Sequence, residues 1–212
     1  MQKCEDLIEK NKHKYLLNIK PTAPRINAYI KTHKENEPIT PVIDNTQAPT
    51  YKIAKFLNNK IKAYINLPNT YITINSGEVA QELHKLHITE KYRILTLDIK
   101  NLYVNLPEQG SIQSTVFWLD KNNTSKKIKE QIIRLLKIII EQNYFQYNDQ
   151  FFKPKNGITM GSPISGMIAE IYLQHIEELH IKHWIGSKEI IYYKRYVDDI
   201  IIIFNHSKKM KQ

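Results

Sequence analysis

Asp198 and Asp199 stand side by side in Tyr196-Val-Asp-Asp199, with Ile190-Ile-Tyr-Tyr193 before them and Ile200-Ile-Ile-Ile-Phe204 after. Two acids between two apolar runs are unusual. Ionised carboxylates about 4 Å apart repel by roughly 4 kcal/mol at a surface-like dielectric. A hairpin tip in water relieves that repulsion, and Asp-Asp suits a turn. A bound divalent cation relieves it differently, by converting repulsion into ligation. The pair by itself leaves both readings open.

A third acid, Asp98, ends the apolar run Ile94-Leu-Thr-Leu97. Read alone it is equally a helix N-cap or a loop acid. If tertiary structure brings it to Asp198, the carboxylates can hold two Mg²⁺ ions about 4 Å apart, with the backbone carbonyl of Ile99 as a further ligand. Such a pair activates an attacking hydroxyl and stabilises a leaving pyrophosphate. The third candidate is Asn156-Gly-Ile-Thr-Met-Gly-Ser-Pro163, where two glycines let backbone approach a ligand closely. Its plain reading is a turn followed by a helix cap.

The elements that must position these residues follow from pattern. Leu7, Ile8, Leu16 and Leu17 suggest a helix within residues 1–20. Pro21, Pro24, Pro38, Pro41 and Pro49 impose extended chain on 21–50. Ile53, Phe56, Leu57, Ile61 and Ile65 restore helical spacing. Asn75 or Ser76 caps another helix, and Arg93–Asp98 reads as a strand. Pro107 opens a helix, and 124–142 forms a second with a strong apolar stripe. A hairpin spans 144–152, a helix follows the glycine loop to about His180, and a last hairpin runs from Glu189 to Phe204 with the paired acids at its turn. Helices and strands without strict alternation predict an α+β fold.

Composition bounds the function. The chain has 212 residues, 42% hydrophobic and 25% charged, as in ordinary globular proteins. Its net charge of +10 suits a polyanion such as nucleic acid. All but four of its 31 basic residues are lysine, and an A+T-rich coding sequence accounts for that bias equally well. No run of about 18 apolar residues predicts a membrane span. The start is too polar for a secretory signal, and a single cysteine, Cys4, excludes an internal disulfide. These features fit an intracellular, reducing setting, nucleus or cytoplasm unresolved.

Taken in order, the segments resemble a reverse transcriptase, specifically of the Penelope-like retroelement type. Asp98 with Tyr103 resembles motif A, Asn156-Gly157 through Gly161-Ser162-Pro163 motif B, and Tyr196-Val-Asp-Asp199 motif C. Upstream, Ala23-Pro-Arg-Ile-Asn-Ala-Tyr-Ile-Lys-Thr-His-Lys34, Pro38-Ile-Thr-Pro-Val42 and Ala48-Pro-Thr-Tyr-Lys-Ile-Ala-Lys-Phe-Leu57 resemble the fingers of these enzymes, Lys31-Thr-His-Lys34 being the distinctive piece.

The resemblance implies a right-hand polymerase with an N-terminal helical extension (1–20), fingers (21–90), a palm with an antiparallel sheet backed by helices (91–206), a frayed tail (207–212) and no thumb. It implies Asp98, Ile99, Asp198 and Asp199 as ligands of two Mg²⁺ ions, for which Mn²⁺ can substitute. Tyr103 matches a steric gate against the ribose 2′-hydroxyl, with a core tyrosine as its bland alternative. Lys31 and Lys34 would face the triphosphate, and Asn156 and Gly157 would pack under nucleotide and template. Gly161, Ser162, Pro163 and Tyr196 would meet primer and template.

The expected partners are an RNA template, a DNA primer and deoxynucleoside triphosphates, without a membrane or obligate protein partner. The chain departs from the pattern at Thr40, where an arginine commonly precedes the proline, and at Asn156, where glutamine is common. It ends soon after motif C, so an inactive retroelement remnant that binds nucleic acid weakly is the alternative. Tyr103 disfavours a third reading, an RNA-templated RNA polymerase. Arg195 has two readings, contact with primer backbone or pairing with an acid.

Overall fold

The computed structural model describes residues 4–32, 37 and 39–207. They divide into two compact units: residues 1–66 with 103–172, and residues 67–102 with 173–212. The units interleave along the chain. A linear pass could not show this, because the strand ending at Asp98 pairs with one a hundred residues later.

In the first unit, the N-terminal leucines sit in turns and a 3-10 helix (Lys10–Leu16), shorter than their spacing suggests. Leu7, Ile8 and Leu16 are buried, whereas Leu17 is exposed. The proline-rich stretch forms β1 (Arg25–Ile30) and β2 (Ile39–Asp44), an antiparallel pair in continuous register from Arg25↔Asp44 to Ile30↔Ile39. Pro41 lies on the edge strand β2 of the sheet, where a missing donor is tolerated.

Helix α1 (Tyr51–Tyr64) buries Ile53, Ala54, Leu57 and Ile61. Short α3 (Leu102–Asn105) is followed by α4 (Glu108–Lys121), capped by Pro107, and by α5 (Lys126–Glu141). The stripe of α5 buries Ile132, Leu135, Leu136, Ile139 and Ile140. Each such side chain contributes about 1.5–3 kcal/mol by leaving water. Trp118, fully buried, donates its indole N–H to the Ile171 carbonyl at 3.0 Å. The hairpin β4 (Phe145–Tyr147) and β5 (Gln150–Phe152) turns through Asn148 and Asp149, both at positive φ. It joins a sheet of order β2-β1-β4-β5, in which β1 and β4 run parallel. Helix α6 (Ser165–Ile176) follows the glycine loop.

The second unit begins its regular structure with α2 (Ser76–His84), where Asn75 accepts the Glu78 N–H at 2.8 Å as N-cap. Strands β3 (Tyr92–Asp98), β6 (Ile190–Tyr196) and β7 (Asp199–Asn205) form an antiparallel sheet of order β3-β7-β6. A π-helical turn (Glu177–Ile181) and α7 (Lys182–Gly186) supply Ile181, Trp184 and Ile185 to pack on one sheet face against Ile190, Tyr193, Ile200, Ile202 and Phe204. Two mostly antiparallel sheets with helices make this an α+β fold, as the pattern of elements predicts.

Candidate active site

In the second unit, β3 and β7 pair without interruption from Tyr92↔Asn205 to Asp98↔Asp199. Because side chains alternate between the two faces of a sheet, a one-residue slip in this register would carry Asp98 to the face opposite Asp199. The last rung of the ladder therefore sets Asp98 directly opposite Asp199. Opposed residues keep their Cβ atoms about 4.5–5.5 Å apart on one face of the sheet. Tyr196 is the partner of Asp199 on the other side, so Asp98, Asp199 and Tyr196 form one row. Beyond that row the Ile99 N–H donates to the Asp198 carbonyl at 2.9 Å. Asp98 and Asp199 are exposed and Asp198 is half-buried.

Only two residues, Val197 and Asp198, connect β6 to β7. Val197 has φ +54°. Positive φ at the first loop residue alone is the sign pattern of a type II′ turn, which favours glycine there. A β-branched residue in that region is strained by about 1–3 kcal/mol and persists only when its surroundings enforce it. Arg195 supplies part of that enforcement. Its Nη1 donates to the Val197 carbonyl at 2.9 Å, and its Nε meets Glu177 Oε1 at 2.6 Å. The guanidinium is 1% exposed, which decides between the two sequence readings in favour of pairing with an acid. Tyr193 donates its hydroxyl to the same Oε1 at 3.1 Å, and burial pushes that phenol well above the ordinary tyrosine range.

The face bearing Asp98 and Asp199 also carries Tyr192 and Lys194, and α2 meets it there. Glu82 accepts from Tyr192 at 2.8 Å and pairs with Lys194 at 3.0 Å. The Tyr192 hydroxyl chiefly holds the Glu82 carboxyl below its usual range. Between the start of α2 and the acid row lies an open cavity of about 610 Å³, lined by Ile74, Val79, Tyr196, Asp199 and Ile201 among others.

The first unit holds the other expected residues. The glycine loop is fixed by backbone. Gly157, φ +79°, lies so close to the Tyr103 and Val104 carbonyls that a Cβ would stand 2.4 and 2.3 Å from them. The Ile158 N–H donates to the Tyr103 carbonyl at 2.9 Å. At Gly161, φ +112°, a Cβ would meet the Ile43 carbonyl at 2.0 Å, beside the bond from the Ile43 N–H to the Met160 carbonyl at 2.8 Å. Gly161→Ala is expected to destabilise the chain by about 1–3 kcal/mol, read by thermal melting. An unchanged melt would contradict the packing described.

Asn143, buried, grips the same loop: it donates to the Gly157 carbonyl and accepts from the Thr159 N–H, each at 3.1 Å. Sequence reasoning missed Asn143, since a polar residue at a helix end carries no signal of its partners. It also missed Glu177 and the backbone of Ile43, for the same reason.

Tyr103 is half-buried, Ser162 and Pro163 are half-buried, and Asn156 is exposed. Lys31 directly follows β1, whereas Lys34 and Pro38 lie outside the described residues. The structure thus brings Asp98, Ile99, Asp198, Asp199 and Tyr196 together in one unit, and Tyr103, Asn156, Gly157 and Gly161 in the other.

Among the described residues no three His, Cys, Asp or Glu side chains already converge as an ion-holding group. The donor set nevertheless suits a divalent cation: carboxylates opposed across one rung and a third on the adjoining turn residue are hard oxygen ligands. No helix among the described residues is long and apolar enough to cross a membrane.

Comparison with known proteins agrees with this geometry. Residues 43–212 match the profile of the family described as "Reverse transcriptase (RNA-dependent DNA polymerase)". Among solved structures, the fold resembles apo telomerase from Candida tropicalis truncated from its C-terminal domain, at TM-score 0.63 and 16% identity over 95% of this chain. It resembles telomerase from Candida albicans in complex with a telomeric RNA fragment at TM-score 0.59 and 13% identity, over 88% of this chain and 38% of that one. The chain spans 48% of the first of these structures. No curated protein matches in sequence. Members of the matched family generally use divalent metal ions. With the profile covering most of its length and the motif acids meeting on one rung, the chain belongs to the reverse transcriptase (RNA-dependent DNA polymerase) family.

Proposed function

We propose that this chain supplies the fingers and palm of an RNA-directed DNA polymerase of the Penelope-like type, adding deoxynucleotides to a primer 3′-hydroxyl by in-line attack. One observation carries the reading: the β3–β7 register that opposes Asp98 to Asp199, with Asp198 bonded through its carbonyl to Ile99. We read residues 21–90 as fingers and 91–206, which carry all three motif segments, as palm. Asp98, Asp198, Asp199 and the Ile99 carbonyl would hold the divalent ions. When bound, two such ions activate the attacking hydroxyl and neutralise the leaving pyrophosphate.

The remaining steps belong to this chain's residues. Tyr103 would serve as the gate against a ribose 2′-hydroxyl. Lys31 and Lys34 draw the triphosphate toward the fingers, with Thr40 leaving that clamp weaker than an arginine would. The rigid loop from Gly157 to Pro163 supports nucleotide and template. Tyr196, in the acid row, faces the primer. The Lys31-Thr-His-Lys34 segment and the Met-Gly-Ser-Pro form of motif B support the Penelope-like subtype.

The test is extension of a DNA primer on an RNA template with Mg²⁺ and deoxynucleotides. Extension that disappears with Asp198→Asn supports the proposal. A wild-type chain that binds template–primer weakly and adds no nucleotide assigns it instead to the inactive remnant. The gate is read separately: Tyr103→Ala should raise incorporation of ribonucleotides relative to deoxynucleotides by about 10- to 100-fold. An unchanged ratio in single-nucleotide extension would return Tyr103 to an ordinary packing role.

A further inference from the structure

Arg195 meets more of its unit than its place beside a turn suggests. Its backbone N–H donates to the Tyr71 carbonyl at 2.9 Å, and its carbonyl accepts from the Thr73 N–H at 3.0 Å, so the residue is clasped on the edge of β6. Its side chain runs the other way. The Nε meets Glu177 Oε1 at 2.6 Å and Nη2 lies 3.4 Å from Oε2, which fixes the guanidinium plane. Nη1 is thereby aimed at the Val197 carbonyl, 2.9 Å away. Glu177 is itself buried, in the π-helical turn that follows α6. Such turns recur at functional sites because they re-aim a side chain within a helix. The carbonyl being held belongs to the strained residue that directly precedes Asp198.

We propose that Arg195 is a positioning residue for the motif C acids: anchored by Glu177, it clamps the Val197 carbonyl and so holds the turn that presents Asp198 and Asp199. The proposal rests on the polymerase reading for its purpose, but its geometry stands apart from it. Valine alone disfavours φ +54°, so without the clamp the turn relaxes, Asp198 shifts, and the Ile99–Asp198 bond loosens. Arginine is suited to the task because its planar fork serves the carboxylate and the carbonyl at once, whereas a lysine head is a single point.

The experiment uses the full chain and three proteins: wild type, Arg195→Lys, and Arg195→Lys combined with Val197→Gly. The first readout is hydrogen exchange at the Ile99 amide, which needs neither metal nor substrate. Arg195→Lys should exchange about tenfold faster there while the β3–β7 amides further from the turn keep their protection. Val197→Gly should restore protection in the double variant, since glycine adopts positive φ without a clamp. The second readout is Mn²⁺ affinity by titration, with Asp198→Asn as control. It should weaken about tenfold in Arg195→Lys and recover with glycine, and kcat for primer extension should fall with it by up to about 100-fold.

Unchanged Ile99 exchange in folded Arg195→Lys overturns the proposal, as does a double variant that shows no recovery. If neither variant folds, the ion pair serves folding alone and the positioning role is refuted. A wild-type chain without Mn²⁺ binding that depends on Asp198 fails the polymerase reading, and the Ile99 exchange then still decides the clamp.

Discussion

Asp198→Asn will lower primer extension by at least about 100- to 1,000-fold, the loss typical of removing one preorganised electrostatic contact to a transition state. The substitution is nearly isosteric, so the hairpin keeps its shape. The amide keeps an oxygen but loses the negative charge that binds a divalent cation more strongly. Asp98→Asn should behave alike, because Asp98 faces the same row from β3. Asp149→Asn, on the exposed β4–β5 turn of the other unit, should extend primers as the wild type does. Retention of more than a tenth of the wild-type rate in Asp198→Asn would remove this residue from the chemistry. Chelation of divalent ions should abolish extension by the wild type to the same degree.

The second large effect is on stability. Glu177→Leu leaves the Arg195 guanidinium buried without its carboxylate. Breaking one side of a buried pair costs about 3–5 kcal/mol, since the remaining charge has lost both its hydration and its partner. The Tyr193 hydroxyl loses its acceptor in the same substitution. For a chain of this size such a loss lowers the melting temperature by roughly 6–20 °C. Replacing both members, with Arg195→Met beside Glu177→Leu, should recover most of the stability, because an apolar pair carries no desolvation penalty. Denaturant unfolding followed by circular dichroism measures both. A single variant within about 1 kcal/mol of wild type would show that water reaches the guanidinium. The double variant separates two roles of the pair: it should fold and yet leave the Val197 carbonyl unclamped.

Much of this arrangement was legible in the residues. Proline placement imposed extended chain on β1 and β2. Asn75 marked a helix start with its own side chain, and Pro107 marked another by what it cannot donate. The isoleucine stripe of 126–141 carried its helix in its period. These are local effects, decided by backbone sterics and by which side chains leave water, so they need no distant partner. The family resemblance also lay in the sequence, in six segments whose order no single motif supplies.

Other features were decided only in three dimensions. Leu7, Ile8 and Leu16 were correctly apolar but did not build one helix, since burial against the first unit outweighed their spacing. The interleaving of the units was hidden because β3 and β7 lie a hundred residues apart. Their pairing depends on which apolar faces meet, and a periodic pattern does not name its partner. The same holds for the site. Sequence placed three carboxylates at strand ends, and it stopped there. The register decided that Asp98 faces Asp199. Burial decided that Arg195 turns inward to Glu177, and the clash distances at Gly157 and Gly161 show why those two positions admit no side chain. Residue types determined which chemistry this chain can perform; the long-range hydrogen bonds and packing determined which of those residues meet.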